Sequence, residues 1–181
     1  LPQGISGLAE KIENLGMKFG LWFEPEMVNK DSGLYRAHPD WILSVPERTQ
    51  SHGRYQYVLD FSRKDVVDCI YEMMAKILGC GRVSYVKWDM NRSITECWSP
   101  SLPADRQGEV FHRYILGVYS LYERLTSAFP TVLFESCASG GARFDPGILY
   151  YAPQAWTSDD SDAVERLKIQ YGTSYCYPVS S

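Results

Sequence analysis

The sequence has no tract of basic residues, and its 18 Lys and Arg are outnumbered by 22 Asp and Glu, which gives a net charge of -4. Proteins that bind nucleic acid or anionic membranes present clustered basic residues. The chain also lacks an apolar run of about 18 residues, the length that a membrane-spanning helix requires. Neither nucleic acid nor a membrane is therefore an expected partner.

Several motifs that carry cofactor chemistry are missing as well. The Gly-rich segment 139–142 has neither the GxGxxG nor the GxxxxGK[ST] spacing of a nucleotide site, and no serine lies in a GxSxG motif. The histidines show no pairing at metal-ligand spacing, and they are His38, His52 and His112. We expect no cofactor, no metal and no acyl transfer.

The cysteines are few and scattered. Their odd number and the absence of a CxxC motif argue against a disulfide framework or a zinc site, and no signal peptide precedes them. They are Cys69, Cys80, Cys97, Cys137 and Cys176. A reducing cytoplasm is the expected compartment.

What the chain does contain is an alternation of helices and strands. Apolar runs with strand character cover residues 18–23, 55–61, 83–87, 131–134, 153–157 and 172–178. Helical periodicity covers residues 5–15, 62–78, 110–125 and 164–169, while 27–54 and 93–107 have no period. Strands that alternate with helices form parallel sheets. The pattern fits a doubly wound sheet or part of a (β/α)8 barrel with about five parallel strand units, since a complete barrel needs about 250 residues.

Carboxylates follow four of the predicted strands. They are Glu24, Asp89, Glu135 and Asp159. Because the carboxyl ends of parallel strands meet at one edge of a sheet, we expect these groups to lie together. For Asp89 the alternatives are a helix cap or a surface pair with Arg92. A pair of carboxyls at one site is the device of glycosidases, in which one attacks the anomeric carbon or activates water and the other protonates the leaving oxygen.

Four motifs carry a family resemblance. They are GLWFEPEM at 20–27, KWDMNR at 87–92, FESCASGG at 134–141 and WTSDD at 156–160. In this order they resemble the α-galactosidases of glycoside hydrolase family 36. The resemblance implies a (β/α)8 barrel that hydrolyses terminal α-galactosides such as melibiose and raffinose with retention. It also implies that Asp89 is the nucleophile and Asp159 the general acid/base. The positions that it places in the galactose pocket are Trp22, Arg54, Lys87, Asn91, Cys137 and Gly140.

The chain departs from that family in what it lacks. The barrel strand that would precede residue 1, with its paired aspartates, has no counterpart, and neither have the N-terminal β-domain and the C-terminal domain. We therefore expect residues 1–181 to be a partial catalytic barrel cut from a longer protein and inactive alone. The full-length protein is expected to be a homo-oligomer. Alternatives are an α-N-acetylgalactosaminidase, a raffinose-family synthase or a non-catalytic sugar-binding fragment.

Overall fold

The computed structural model describes residues 2–181, and the chain divides into two compact units. Unit 1 comprises the chain up to Glu24 together with the segments Lys76–Asn91 and Thr126–Ser181. Unit 2 comprises Pro25–Ala75 and Arg92–Leu125. Within the described part of the chain, no helix combines the length and the apolar character needed to cross a membrane.

A four-stranded parallel sheet forms the centre of unit 1. Its strands are β1 (Phe19–Phe23), β4 (Val83–Trp88), β5 (Leu133–Ser136) and β6 (Gln154–Ala155), side by side in that order. All three pairings are parallel, as the alternation of elements predicts. The α/β class with part of a parallel barrel sheet is thus confirmed.

Three helices of unit 1 accompany these strands. They are α1 (Gly4–Glu13), α5 (Pro146–Tyr151) and α6 (Ala163–Thr173). Helix α6 begins where Asp162 accepts hydrogen bonds from the backbone N–H groups of Val164 and Glu165, the usual role of an N-cap aspartate.

Unit 2 contains a separate antiparallel ribbon. Strands β2 (Met27–Asn29) and β3 (Gln56–Val58) pair with each other, and helix α2 (Gly33–Ala37) lies between them in sequence. The prediction that 27–54 is irregular is therefore wrong in part, and the apolar run 55–61 does not join the parallel sheet. The spacing of apolar residues along the sequence cannot reveal β2, because these three residues form a strand only by pairing with β3, which is distant in sequence.

Two long helices have segments in both units. They are α3 (Lys64–Leu78) and α4 (Val110–Ala128), and both match the predicted helical periodicity. In α3 the residues at helical spacing are buried, with the exceptions of Met73, which is half exposed, and Ile77, which is partly buried. A 3₁₀ segment, Ala104–Glu109, leads directly into α4.

The strand predicted at 172–178 is wrong. Helix α6 extends to Thr173, and the chain then continues in turns in which the N–H of Tyr175 donates to the carbonyl of Gly172. Tyr175 of the predicted strand stands four residues after Tyr171 of α6, and its hydroxyl donates to that of Tyr171 at 2.6 Å. That spacing is the neighbour distance of a helical surface.

Candidate active site

Three side chains of the expected site stand in one row across the parallel sheet. Trp22 of β1 is in register with Lys87 of β4, and Lys87 is in register with Glu135 of β5. Neighbours in register project from the same face of a sheet. Because strand side chains alternate, the residue two positions beyond Lys87 projects from that face too, and it is Asp89.

Asp89 is fixed at the carboxyl end of β4 by its backbone and by its side chain. Its N–H donates to the carbonyl of Phe23 at 2.9 Å, which continues the sheet beyond the strand. Its side chain is buried, with 6% of the residue exposed. The indole N–H of Trp22 donates to Oδ2 at 3.1 Å, and the backbone N–H of Ser139 donates to Oδ1 at 3.4 Å.

These contacts determine the charge state of Asp89. Burial opposes ionisation, but hydrogen bonds from Asn91, Cys137, Trp22 and Ser139 together outweigh it and lower the pKa of the Asp89 carboxyl below its ordinary value. These donors stabilise the ionised form of the Asp89 carboxyl, which is the form that a nucleophile requires. Neither a helix cap nor an Arg92 pair accounts for such an environment.

Asn91 occupies a position between several polar groups of unit 1. Its Nδ2 donates to Oε1 of Glu24 at 2.6 Å, and its Oδ1 accepts from the hydroxyl of Ser139 at 3.3 Å. The side-chain amide also bonds Asp89. Glu24, the carboxylate after β1, therefore orients Asn91.

The segment after β5 supplies Cys137 and Gly140. Cys137 continues the sheet, since its N–H donates to the carbonyl of Trp88 at 2.8 Å. Burial is the main cause that raises the pKa of its thiol to about 11, and the carboxylate of Asp89 adds to this. Cys137 is therefore a neutral thiol at physiological pH and a hydrogen-bond donor to Asp89.

Gly140 stands where the backbone of two segments meets. Its φ is +82°, and a Cβ at this position would lie 2.8 Å from Cα of Ser158 and 3.2 Å from N of Asp159. Real Cβ atoms essentially never lie as close as 2.8 Å to a backbone atom, so a side chain here would displace the segment that carries Asp159. The preceding Ser139 also has a positive φ, of 50°, a conformation that side chains other than glycine rarely adopt.

Lys87 is held by charge and by an aromatic ring. Its Nζ lies 2.9 Å from Oε1 of Glu135, an ion pair that is not aligned as a hydrogen bond. The other oxygen of Glu135 accepts from the hydroxyl of Tyr85. The Lys87 ammonium also lies 4.4 Å from the ring centroid of Trp156. Glu135 thus positions the lysine rather than serving as an independent acid.

Asp159 lies on the segment between β6 and α6. The backbone N–H of Trp156 donates to the carbonyl of Ser136 at 2.9 Å. This hydrogen bond continues the pairing with β5 beyond the end of β6. The indole N–H of Trp156 donates to Oδ1 of Asp159 at 2.9 Å, and Asp159 is exposed. Of the neighbouring carboxylates, Asp162 caps α6 and Asp160 accepts from the N–H of Asp162 at 3.0 Å.

Arg54 belongs to unit 2 and is exposed there. It forms a two-residue turn with Tyr55, closed by a hydrogen bond of 2.9 Å from the N–H of Gln56 to the carbonyl of Gly53. Both central residues have positive φ, of 53° and 60°, as in the hairpin turns of type I′. Two successive residues other than glycine in that region are strained, and such strain clusters at functional sites.

Unit 1 therefore brings together every predicted site residue except Arg54. They are Asp89, Asp159, Trp22, Lys87, Asn91, Cys137 and Gly140. Trp22 is half exposed and donates to Asp89, so it is not a core residue.

Sequence reasoning missed two contributors. Ser139 acts through its backbone N–H, which no side-chain pattern reveals. Arg166 lies on α6, where its guanidinium donates to the carbonyl of Ser158 at 3.0 Å and stands 4.8 Å from the centroid of Trp156. The only signal for Arg166 in the sequence was its position. It lies seven residues after Asp159, and one helical turn after Asp162, which caps α6.

Comparison with known proteins gives consistent results. The family model that matches the chain is Melibiase, over residues 1–181. The chain is 59% identical over 181 residues to the alpha-galactosidase AgaA of Geobacillus stearothermophilus, and 52% identical over 179 residues to the alpha-galactosidase Mel36A of Lactobacillus acidophilus. These matches cover 100% and 99% of this chain but 25% and 24% of those proteins. The chain thus spans about a quarter of the length of these curated relatives.

Solved structures show the same similarity. The crystal structure of the alpha-galactosidase from Lactobacillus brevis matches with a TM-score of 0.96 and 58% identity, over 98% of this chain and 24% of that one. An AgaA variant in complex with raffinose matches with a TM-score of 0.96 and 58% identity, and one in complex with stachyose with 0.95 and 58%. Each covers 98% of this chain and 25% of the other.

Proposed function

Since the chain belongs to the melibiase family, the α-galactosidases of glycoside hydrolase family 36, we propose that the whole protein containing it hydrolyses terminal α-D-galactosyl residues with retention. This whole protein is called the parent protein below. Its proposed substrates are oligosaccharides such as melibiose and raffinose. Two variants of one relative, AgaA, are known in complex with raffinose and with stachyose, which supports this substrate class.

The observation that carries the proposal is the environment of Asp89. A buried carboxylate whose pKa is lowered by hydrogen bonds from Asn91, Cys137 and Trp22 is ionised and oriented before substrate arrives. Asp89 attacks the anomeric carbon and forms a covalent galactosyl ester as the glycosidic bond breaks. Asp159 donates a proton to the leaving oxygen, and in the second step removes one from water.

The remaining site residues hold the sugar. Lys87, Asn91 and the N–H of Trp22 present donors at the carboxyl edge of the sheet, while Cys137 and Gly140 border the 2-hydroxyl. Cys137 is buried and fixed by the sheet, so in this proposal its side chain stays beside the 2-position and disfavours the larger acetamido group of N-acetylgalactosamine.

The decisive test is nucleophile removal in the parent protein. Asp89→Ala should lower kcat on p-nitrophenyl α-galactoside by about 10⁴-fold or more, and azide should restore turnover with β-galactosyl azide as product. Azide attacks the face that Asp89 occupied, so the configuration of the product reports the mechanism. An inactive wild type on α-galactosides, or an α-configured azide, overturns the proposal.

Three further proposals concern the context of the chain. Residues 1–181 form a partial catalytic barrel, so the isolated chain should show no turnover in the same assay. The cysteines of the described residues are all free thiols, which supports a reducing, cytoplasmic location. Fractionation of cells that express the parent protein tests this location.

The parent protein is expected to be a homo-oligomer. Light scattering coupled to size-exclusion chromatography measures its mass in solution.

A further inference from the structure

Trp156 is in contact with two cations. The ammonium of Lys87 lies 4.4 Å from the ring centroid, and the guanidinium carbon of Arg166 lies 4.8 Å from it. A cation this close to an indole is attracted by the electrons of the ring. The two cations come from different elements, β4 and α6, and each is held by another bond: Lys87 by Glu135, and Arg166 by the carbonyl of Ser158. The ring is therefore fixed from two directions in the fold.

The same indole reaches the acid. Its Nε1 donates to Oδ1 of Asp159 at 2.9 Å. Among residues 2–181, it is the one side chain that donates a hydrogen bond to this carboxylate. Asp159 is exposed, so its side chain would otherwise sample several rotamers. The backbone that precedes Asp159 is anchored, since the N–H of Gly141 donates to the carbonyl of Thr157 at 3.1 Å.

We propose that Trp156 is the positioning residue of the Asp159 acid/base, and that Lys87 and Arg166 hold its indole for that purpose. The inference rests on the proposed function, because it takes Asp159 as the proton donor. Trp156 does not act on the substrate in this role. Lys87 serves twice: it presents a donor to the sugar and fixes the ring that fixes the acid.

The geometry also assigns the proton. Because Oδ1 accepts the indole N–H, the transferable proton of the acid stands on Oδ2. As the glycosidic bond breaks, its electron pair passes to the leaving oxygen and the proton moves from Oδ2 to that oxygen. Asp159 becomes a carboxylate while an oxygen of Asp89 bonds to the anomeric carbon. Asp159 then removes a proton from water, whose hydroxyl bonds to the anomeric carbon as the bond from that carbon to Asp89 breaks and its electron pair returns to the Asp89 carboxylate. Both carboxyls are restored, so no outside reactant is required.

The experiment compares leaving groups in the parent protein. Trp156→Phe keeps an aromatic ring for both cations and removes the N–H. Melibiose needs a proton on its leaving sugar, whereas 2,4-dinitrophenolate departs without one. We expect kcat/KM, which reports the first bond-breaking step, to fall about 10- to 100-fold on melibiose. On 2,4-dinitrophenyl α-galactoside it should change less than about 3-fold.

The chain offers a matched control in Trp22→Phe. This change also removes an indole N–H from a carboxylate, at 3.1 Å, but the carboxylate is the nucleophile Asp89. Its loss should be similar on both substrates. Arg166→Met should reproduce the pattern of Trp156→Phe more weakly, and Arg166→Lys should restore most of the melibiose activity, since a cation again faces the ring.

The outcomes separate the two proposals. If Trp156→Phe lowers kcat/KM equally on both substrates, or on neither, the positioning role is wrong. Asp159→Ala distinguishes the cause: a loss confined to melibiose keeps Asp159 as the acid and rejects only the role of Trp156. Equal losses for Asp159→Ala, or an inactive wild type, reject the proposed function itself. Thermal unfolding of each variant identifies any that fail to fold.

Discussion

Lys87 and Glu135 face each other across neighbouring parallel strands, in register and with 2.9 Å between ammonium and carboxylate. Glu135 is buried and also accepts from the hydroxyl of Tyr85, and burial together with this carboxylate raises the pKa of the Tyr85 phenol well above its ordinary value. The phenol therefore remains a donor at any working pH. The carboxylate is held in place, and it in turn fixes Lys87, the lysine proposed to bind the sugar.

Glu135→Gln should therefore weaken substrate binding more than chemistry. The amide keeps the size of the side chain and an oxygen for Tyr85 but removes the charge that faces Lys87. We expect KM for p-nitrophenyl α-galactoside to rise about 10-fold or more, because the ammonium of Lys87 loses the buried carboxylate that lies 2.9 Å from it and is left without its ion-pair partner. Steady-state kinetics of the parent protein measure it. Glu135→Asp keeps the charge, so its KM should lie between the values of the wild type and of Glu135→Gln. An equal rise in KM for both variants would contradict the role of the charge.

The acid limb of activity should follow Asp89. Hydrogen bonds lower the pKa of this carboxyl, and that of Trp22 is among them. Trp22→Phe removes one, so the pKa of Asp89 rises and the acid limb of the kcat/KM profile moves to higher pH. Arg166 is not among the groups that hydrogen-bond Asp89, so Arg166→Lys should leave the acid limb of the kcat/KM profile unchanged. An acid limb that is unmoved, or moves down, in Trp22→Phe contradicts the assignment.

The same carboxyl links stability to pH. Since its folded pKa is lowered, ionised Asp89 stabilises the fold above the pKa of an unfolded aspartate, about 3.9, and this contribution disappears as the pH falls through the lower folded value. Asp89→Asn removes the titrating group. The stability difference between wild type and variant should therefore shrink as the pH is lowered, which denaturant unfolding at several pH values measures. A difference that grows towards low pH would exclude a lowered pKa.

Cys137 should be inert to alkylation at neutral pH. Burial raises the pKa of its thiol to about 11, and the thiolate is the reactive form. With iodoacetamide and peptide mapping, the exposed Cys176 should be modified at pH 8 while Cys137 is not. The rate at Cys137 should still rise about tenfold per pH unit above pH 9, where an ordinary thiol of pKa about 8.5 levels off. Rapid modification of Cys137 at pH 8 would refute this.

Gly140→Ala should abolish most activity. The methyl group would meet Cα of Ser158 at 2.8 Å, so the segment with Asp159 must shift, and a displacement of about 1 Å costs about 100-fold in rate. Gly16→Ala is the matched control, since its φ is +77° but nothing lies within 4 Å. It should lose about 1–2 kcal/mol of stability from backbone strain and keep its kcat/KM. Similar kinetics for both variants would show that the close approach is unimportant.

Much of unit 1 could be predicted from sequence because its signals are local. The apolar run before Lys87 predicts β4, and the strand period places Lys87 and Asp89 on one face. Carboxyl ends of parallel strands coincide, so the predicted neighbourhood of Glu24, Asp89 and Glu135 agrees with the hydrogen bonds and ion pair of the structure.

What escaped prediction depends on distant partners. Strand β2 exists through β3, which follows almost thirty residues later in the chain. The segment 174–178 has the aromatic residues of a strand, but in the described residues it pairs with no strand and continues α6 as turns. The support of Asp89 and Asp159 likewise comes from groups that no motif exposes, namely the N–H of Ser139 and the guanidinium of Arg166.

Alternation along β4 makes the length of this strand as important as its composition. Val86 and Trp88 are fully buried, and they alternate with Lys87 and Asp89. Inserting or deleting one residue within the strand, upstream of Val86, would exchange the buried pair with the pair that faces the candidate site. The charged side chains of Lys87 and Asp89 would then point into the apolar layer, and the indole of Trp88 would point towards the candidate site. Substitutions in β4 can be graded in their effect, whereas a change of one residue in its length inverts the site at once.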